Sequence, residues 1–195
     1  MPMSAWILLL SDMQQPHHYQ QLIEVFNRCF KDTEQTILVA GDDEPYYCPA
    51  GQYQRYHRVV FAHGFYASAL HEISHWCIAG KVRRHIFDYG YWYEPDGRNE
   101  QQQRQFERVE RKPQALEWLF SLCAGVPFQV SVDNLSGIEV DRAAFTAAVK
   151  DQLITYYRSH IPTRAQQFAQ ALCRYYGNPW PSLTELTRLP PVNEN

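Results

Sequence analysis

His71 and His75 stand four positions apart in an apolar run that closes at Gly80, and Glu72 follows the first of them directly. At 3.6 residues per turn, positions i and i+4 lie one above the other, so a helix presents both imidazoles on one face. Together they can grip a single metal ion, and Glu72, turned partly sideways, can reach a water bound to that ion. The helix is expected to run from Ser68, as its cap, to Ala79, with Gly80 ending it. The competing reading is an ordinary core or exposed helix carrying two unrelated histidines, because the motif is only five residues long.

A chain of 195 residues is long enough for one domain with a substantial core, and no linker divides it. The expectation is a single domain over residues 1–195, with 1–15 and 178–195 peripheral. Hydrophobic and charged fractions of 45% and 20% are those of a folded soluble protein. The thirteen tyrosines suit the walls of a crevice or packed loops, since a buried tyrosine needs a partner for its hydroxyl. A net charge of -3 argues against a protein that coats nucleic acid. Charge is uneven, however: from Lys81 to Lys112 eight basic residues face six acids. A mildly positive field there would favour an acidic partner, and solvated helix faces of mixed charge explain the same residues as well.

Five scattered cysteines without CxxC spacing argue against a disulfide scaffold and a thiolate zinc site. Reduced thiols in a cytoplasmic protein are the default. The apolar stretch 5–10 is too short for a transmembrane span or a signal peptide, so no membrane association is expected.

Periodicity predicts a helix over 16–30, from the stripe Leu22, Ile23, Val25, Phe26 and Phe30, and a buried strand over 36–40. A carboxylate-rich turn, Asp42, Asp43 and Glu44, follows Gly41. Val59 to Phe61 is a second strand or a helix entry, and the aromatic run 86–93 suits a strand or hairpin, with a turn at 95–97. A polar helix over 99–109 should carry Phe106 and Val109, three apart, on one side. Pro113 should then interrupt it, or restart it at a first-turn position before 114–123. Helices over 141–159 and 163–176 follow, and the proline-bearing tail from Asn178 should lie along the surface. The order of elements indicates an α+β fold: a small mixed sheet with packed helices.

Catalytic metal sites usually take three protein ligands and keep a position open. The candidates for the third are His63, His85, Asp88, Glu107 and Glu110. A carboxylate on a helix packed against the histidine helix is the favoured solution, which makes Glu110 the first choice, with Glu107, Asp88 and His85 still open. Two histidines and a carboxylate fit two chemistries. With zinc, Glu72 is the general base of a hydrolase, a peptidase or ribonuclease-like enzyme. With ferrous iron, the free positions suit dioxygen and substrate. A non-catalytic binding domain with a structural metal is a third reading.

The block Val59 to Gly80 resembles the bacterial elongation factor P hydroxylase family. So do Gly41 to Tyr47, Asp88 to Tyr93, Pro95 to Arg98, Lys112 to Trp118, Pro127-Phe128 and Ser131 to Leu135. The likeness runs from about Tyr19 to Tyr176, leaving the first fifteen and last twenty residues uncovered. It implies a non-haem metal hydroxylase that uses dioxygen and acts on the lysyl-modified lysine of elongation factor P, the last step of that modification. It implies Fe(II), with manganese or zinc able to replace it in a crystal. The fold it implies is like that of a metal-dependent endoribonuclease rather than a double-stranded β-helix. Carried onto this chain, His71 and His75 match the histidine ligands, and the carboxylate falls on Glu110. The resemblance also suggests that Arg83, Arg84, Arg98 and Arg108 dock the acidic substrate protein. Asp42, Asp43 and Glu44 would receive ammonium groups of the lysyl extension. Tyr91, with Tyr89, Trp92 and Tyr93, would line its channel or lie in the core. No direct contact with nucleic acid is implied.

Overall fold

The computed structural model describes residues 17–88, 96–132, 134 and 136–189. Among them are six α-helices and a three-stranded sheet, the α+β arrangement expected from the order of elements. Helix α1 (Tyr19–Phe30) leads into β1 (Thr36–Ala40), β2 (Tyr46–Cys48) and β3 (His57–Phe61). Then come α2 (Tyr66–Ile78), a 3-10 turn (Arg83–His85), α3 (Glu100–Ala124), α4 (Arg142–Arg158), α5 (Thr163–Tyr176) and α6 (Leu183–Arg188). The sheet order is β1-β3-β2: β1 pairs parallel with β3, Leu38 opposite Val59, and β2 pairs antiparallel with it, Tyr47 opposite Val59. The mixed sheet of the sequence reading is therefore present. Val59 to Phe61 is its central strand, buried because it has neighbours on both edges.

The stripe read from the sequence buries Leu22, Val25, Phe26 and Phe30 of α1. There Phe26 and Phe30 meet Trp76 edge to face, with ring centroids 5.1 and 4.7 Å away. Phe168 of α5 completes that core, so the helix bearing the histidines is anchored through Trp76. The chain passes from β3 into α2 through a tight reversal. His63 and Gly64 have φ of 54° and 65°, and a side chain at Gly64 would meet the Tyr19 ring at 3.1 Å.

Both ends of α2 differ in mechanism from the sequence reading. Ser68 is not the cap: Phe65 holds that position, and the Ser68 hydroxyl, one turn inside, accepts from the Ala62 N–H at 3.2 Å. At the far end Gly80 is not left-handed. The terminal carbonyls of Trp76, Cys77 and Ala79 accept instead from the Arg164 guanidinium, at 2.9, 3.0 and 2.6 Å. That cation lies 4.6 Å above the Trp76 ring, at the negative end of the helix.

Pro113 does not break α3, which runs unbroken for 25 residues. The proline nitrogen cannot donate to the carbonyl four residues back, a cost of about 3 kcal/mol in a helix interior. Burial on both sides, at Phe106 and Glu110 before it and Gln114 to Ser121 after it, outweighs that loss. Gln114 further fastens the helix by exchanging hydrogen bonds with the Ser131 backbone, at 2.8 and 3.0 Å. Phe106 is buried, while Val109, one turn on along the same side, is exposed. The tail runs mostly at the surface, as expected, and adds a short helix there. Ser182 caps α6, Leu186 is buried against the core, and Lys150 donates to the carbonyls of Thr187 and Leu189. Of the run 86–93, Asp88 forms a single bridge to Tyr47, and residues 89–95 lie outside the described chain.

Candidate metal centre

Helices α2 and α3 pack together and bring His71, His75 and Glu110 to one point. His71 Nε2 and His75 Nε2 are 3.1 Å apart, and Glu110 Oε2 and Oε1 lie 3.5 and 3.3 Å from them. A metal with bonds of about 2.1 Å, holding neighbouring ligands at roughly right-angled to tetrahedral spacing, requires donor separations of about 3.0–3.4 Å. The cluster is thus already drawn to the size of one ion. Glu110 is 1% exposed, and a carboxylate so deep needs cationic company.

Glu117, two turns after Glu110 on α3, completes the arrangement. Its Oε2 lies 2.8 Å from His71 Nδ1. A carboxylate at Nδ1 fixes that nitrogen as the protonated one and turns the Nε2 lone pair toward the cluster, the usual support for a metal-bound imidazole. In the metal-free protein burial works against a charged His71, yet the Glu117 and Glu110 carboxylates outweigh it and push the imidazole up to about 10. A metal ion bound there would take the place of a proton. Burial likewise raises Glu72 above the ordinary carboxylate range, with His71 and His75 opposing.

The other candidate ligands lie elsewhere. Glu107 accepts from Gln103 Nε2 at 3.0 Å, and Gln103 is bound in turn by Arg98. Asp88 accepts from Arg83 Nε at 2.8 Å. His85 is exposed and sets its ring edge toward His57, while His63 is exposed in the β3–α2 reversal. Glu72 lines a narrow cleft of about 40 Å³ that begins at His75. Trp76 and Ala79 of α2 form one wall of this cleft and Tyr46, Tyr47 and Val59 of the sheet another; Arg83, Arg84 and Asp88 also line it.

Arg98 is a correction to the sequence reading: it is fully buried and cannot offer itself to a partner. Its Nε donates to Gln103 at 2.9 Å, its Nη2 to the Val132 carbonyl, and its guanidinium lies 3.9 Å over the Phe106 ring. The residue clamps the start of α3 to the segment at 132. Arg108 is exposed. Arg83 and Arg84 are half-buried and engaged, with Asp88 and with Glu34 at 2.6 Å. Asp42, Asp43 and Glu44 are exposed, and none of them lines the cleft. Tyr91 falls outside the described residues. Glu117 is the residue the sequence reading missed. Its signal was the spacing of seven from Glu110, which returns to the same face after two turns.

Fold and cluster together define an α+β protein with a two-histidine, one-carboxylate site able to hold a metal. More particularly, the chain belongs to the elongation factor P hydroxylase family, whose profile, described as Elongation factor P hydroxylase, matches residues 25–186. It is 49% identical over 160 residues to the Elongation factor P lysine hydroxylase of Haemophilus influenzae, covering 82% of this chain and 90% of that protein.

Proposed function

We propose that the protein is a non-haem Fe(II) hydroxylase that acts on the lysyl-modified lysine of elongation factor P, with dioxygen as co-substrate. The observation that carries this reading is the donor set His71, His75 and Glu110 in a chain 49% identical to an elongation factor P lysine hydroxylase. When bound, the metal supplies activation of dioxygen at positions the three side chains leave open. The net change breaks a C–H bond and forms a C–O bond, and the second oxygen atom leaves as water with two electrons from an external donor and two protons from solvent. The chain's own part is positioning. His71 is held in one tautomer by Glu117, Glu110 is kept dry by the core, and the cleft beside His75 limits water around the reacting carbon.

The partner is therefore elongation factor P, with Arg83, Arg84 and Arg108 as its docking cations, and the site of action is the cytoplasm. Among the described residues no helix is long and apolar enough to cross a membrane. A zinc hydrolase is the second reading, favoured by Glu72 facing the cleft next to His75. Incubating modified elongation factor P with the protein, ferrous iron and air should add the mass of one oxygen atom. No gain in air, or an equal reaction under argon, would overturn the hydroxylase in favour of the hydrolase.

A further inference from the structure

We infer that Glu72 is the specificity residue of the site, a carboxylate that receives an ammonium group of the lysyl extension in the cleft between α2 and β2. This rests on the hydroxylase reading above and goes beyond it by assigning the subsite. The first support is charge. Arg83 faces Asp88 and Arg84 faces Glu34, so the two cations lining the cleft are each matched. A divalent metal at His71 and His75 is matched by Glu110 and Glu117, both beside the imidazoles. Glu72 is the charge left over, and it lines the cleft.

The second support is hydrogen bonding. No described residue donates a hydrogen bond to the Glu72 carboxylate. Its oxygens reach solvent in the cleft, where an arriving ammonium group would take the place of water. Trp76 is 3% exposed and lines the same cleft, and its indole N–H finds no acceptor among the described residues. A lysyl amide offers ammonium groups for Glu72 and a carbonyl oxygen for the indole. The remaining walls, Tyr46, Tyr47 and Val59, suit the methylenes between them. The exposed turn Asp42 to Glu44 lacks that enclosure, and water and salt screen its charges.

The test is binding without turnover. Fe(II)-loaded protein under argon is titrated with three forms of elongation factor P: unmodified, lysyl-modified, and lysyl-modified with its extension amines acetylated. The wild type should prefer the free-amine form over the acetylated one by about tenfold to hundredfold, the range of one buried charged hydrogen bond. Glu72→Gln should bind both modified forms alike and leave the affinity for unmodified factor unchanged. If Glu72→Gln keeps the wild-type preference, the assignment fails, even if it loses turnover; that result would make Glu72 a proton acceptor instead. Failure of the hydroxylase reading would show separately, as no oxygen gained by the wild type in air.

Discussion

Replacing Glu117 by Gln should change how metal binding depends on pH, because it removes the carboxylate 2.8 Å from His71 Nδ1 without changing the size of the side chain. In the metal-free protein His71 is held up to about 10, so over most of the accessible range a metal must displace a proton. Affinity of the wild type for a divalent ion should then climb by about tenfold per pH unit between pH 6 and 9, one proton leaving per ion bound. In the variant burial is opposed mainly by Glu110, so the titration of His71 falls toward the ordinary imidazole range and the curve should flatten above about pH 7. The plateau should also be weaker than the wild type at pH 9 by roughly tenfold to hundredfold, the usual cost of losing a carboxylate behind a metal-bound histidine. Stability of the metal-free proteins carries the opposite sign. A raised imidazole stabilises the fold below the unfolded value near 6.5, and that contribution is lost as pH rises toward about 10. The wild type should thus lose stability over that interval more steeply than Glu117→Gln. The assays are zinc or manganese competition against a buffered chelator at each pH, and urea unfolding of the apoproteins. Parallel affinity curves, with equal plateaus, would refute the role given to Glu117.

His71→Ala, His75→Ala and Glu110→Ala should each bring metal content to well below one ion per chain and abolish oxygen transfer, while far-UV dichroism stays native; full metal content in the Glu110 variant would remove it from the donor set. Arg164→Ala should cost about 2 kcal/mol by stripping the last carbonyls of α2 of their donor, or roughly 4–8 °C in Tm for a chain of this size; an unchanged Tm would deny the cap its importance. Arg98→Ala should destabilise by about 3 kcal/mol, since it leaves the Val132 carbonyl and Gln103 unmet in the interior, yet the surviving folded protein should capture elongation factor P with unaltered salt dependence. Weakened, salt-sensitive capture at equal folded fraction would restore Arg98 to the docking surface.

Where one local signal and burial agreed, the sequence was a good guide. Thr36–Ala40 and Thr163–Tyr176 fall where periodicity placed them, because an apolar pattern and flanking breakers coincide there. Glu110 could be chosen because a helix packed on the histidine helix must bring some carboxylate to it. Long-range pairing was what the sequence hid. Arg164 lies 85 residues beyond the Ala79 carbonyl it caps, and Arg98 looks like any surface arginine until Val132 folds over it. Pro113 was misleading for a related reason: a local rule assigned it a break, and burial of the flanking residues overrode the rule.

The reversal at His63 and Gly64 has a consequence for how such chains can vary. Strand β3 is locked in register with β1 up to Phe61 and with β2 up to Val60, and α2 is under way by Tyr66. One residue inserted in that short join would spin the following helix by about 100° and swing both imidazoles off the carboxylate they share with α3. Natural relatives should therefore tolerate no length change at this corner; an active homologue with a gap there would show that the helix finds its phase from some other contact.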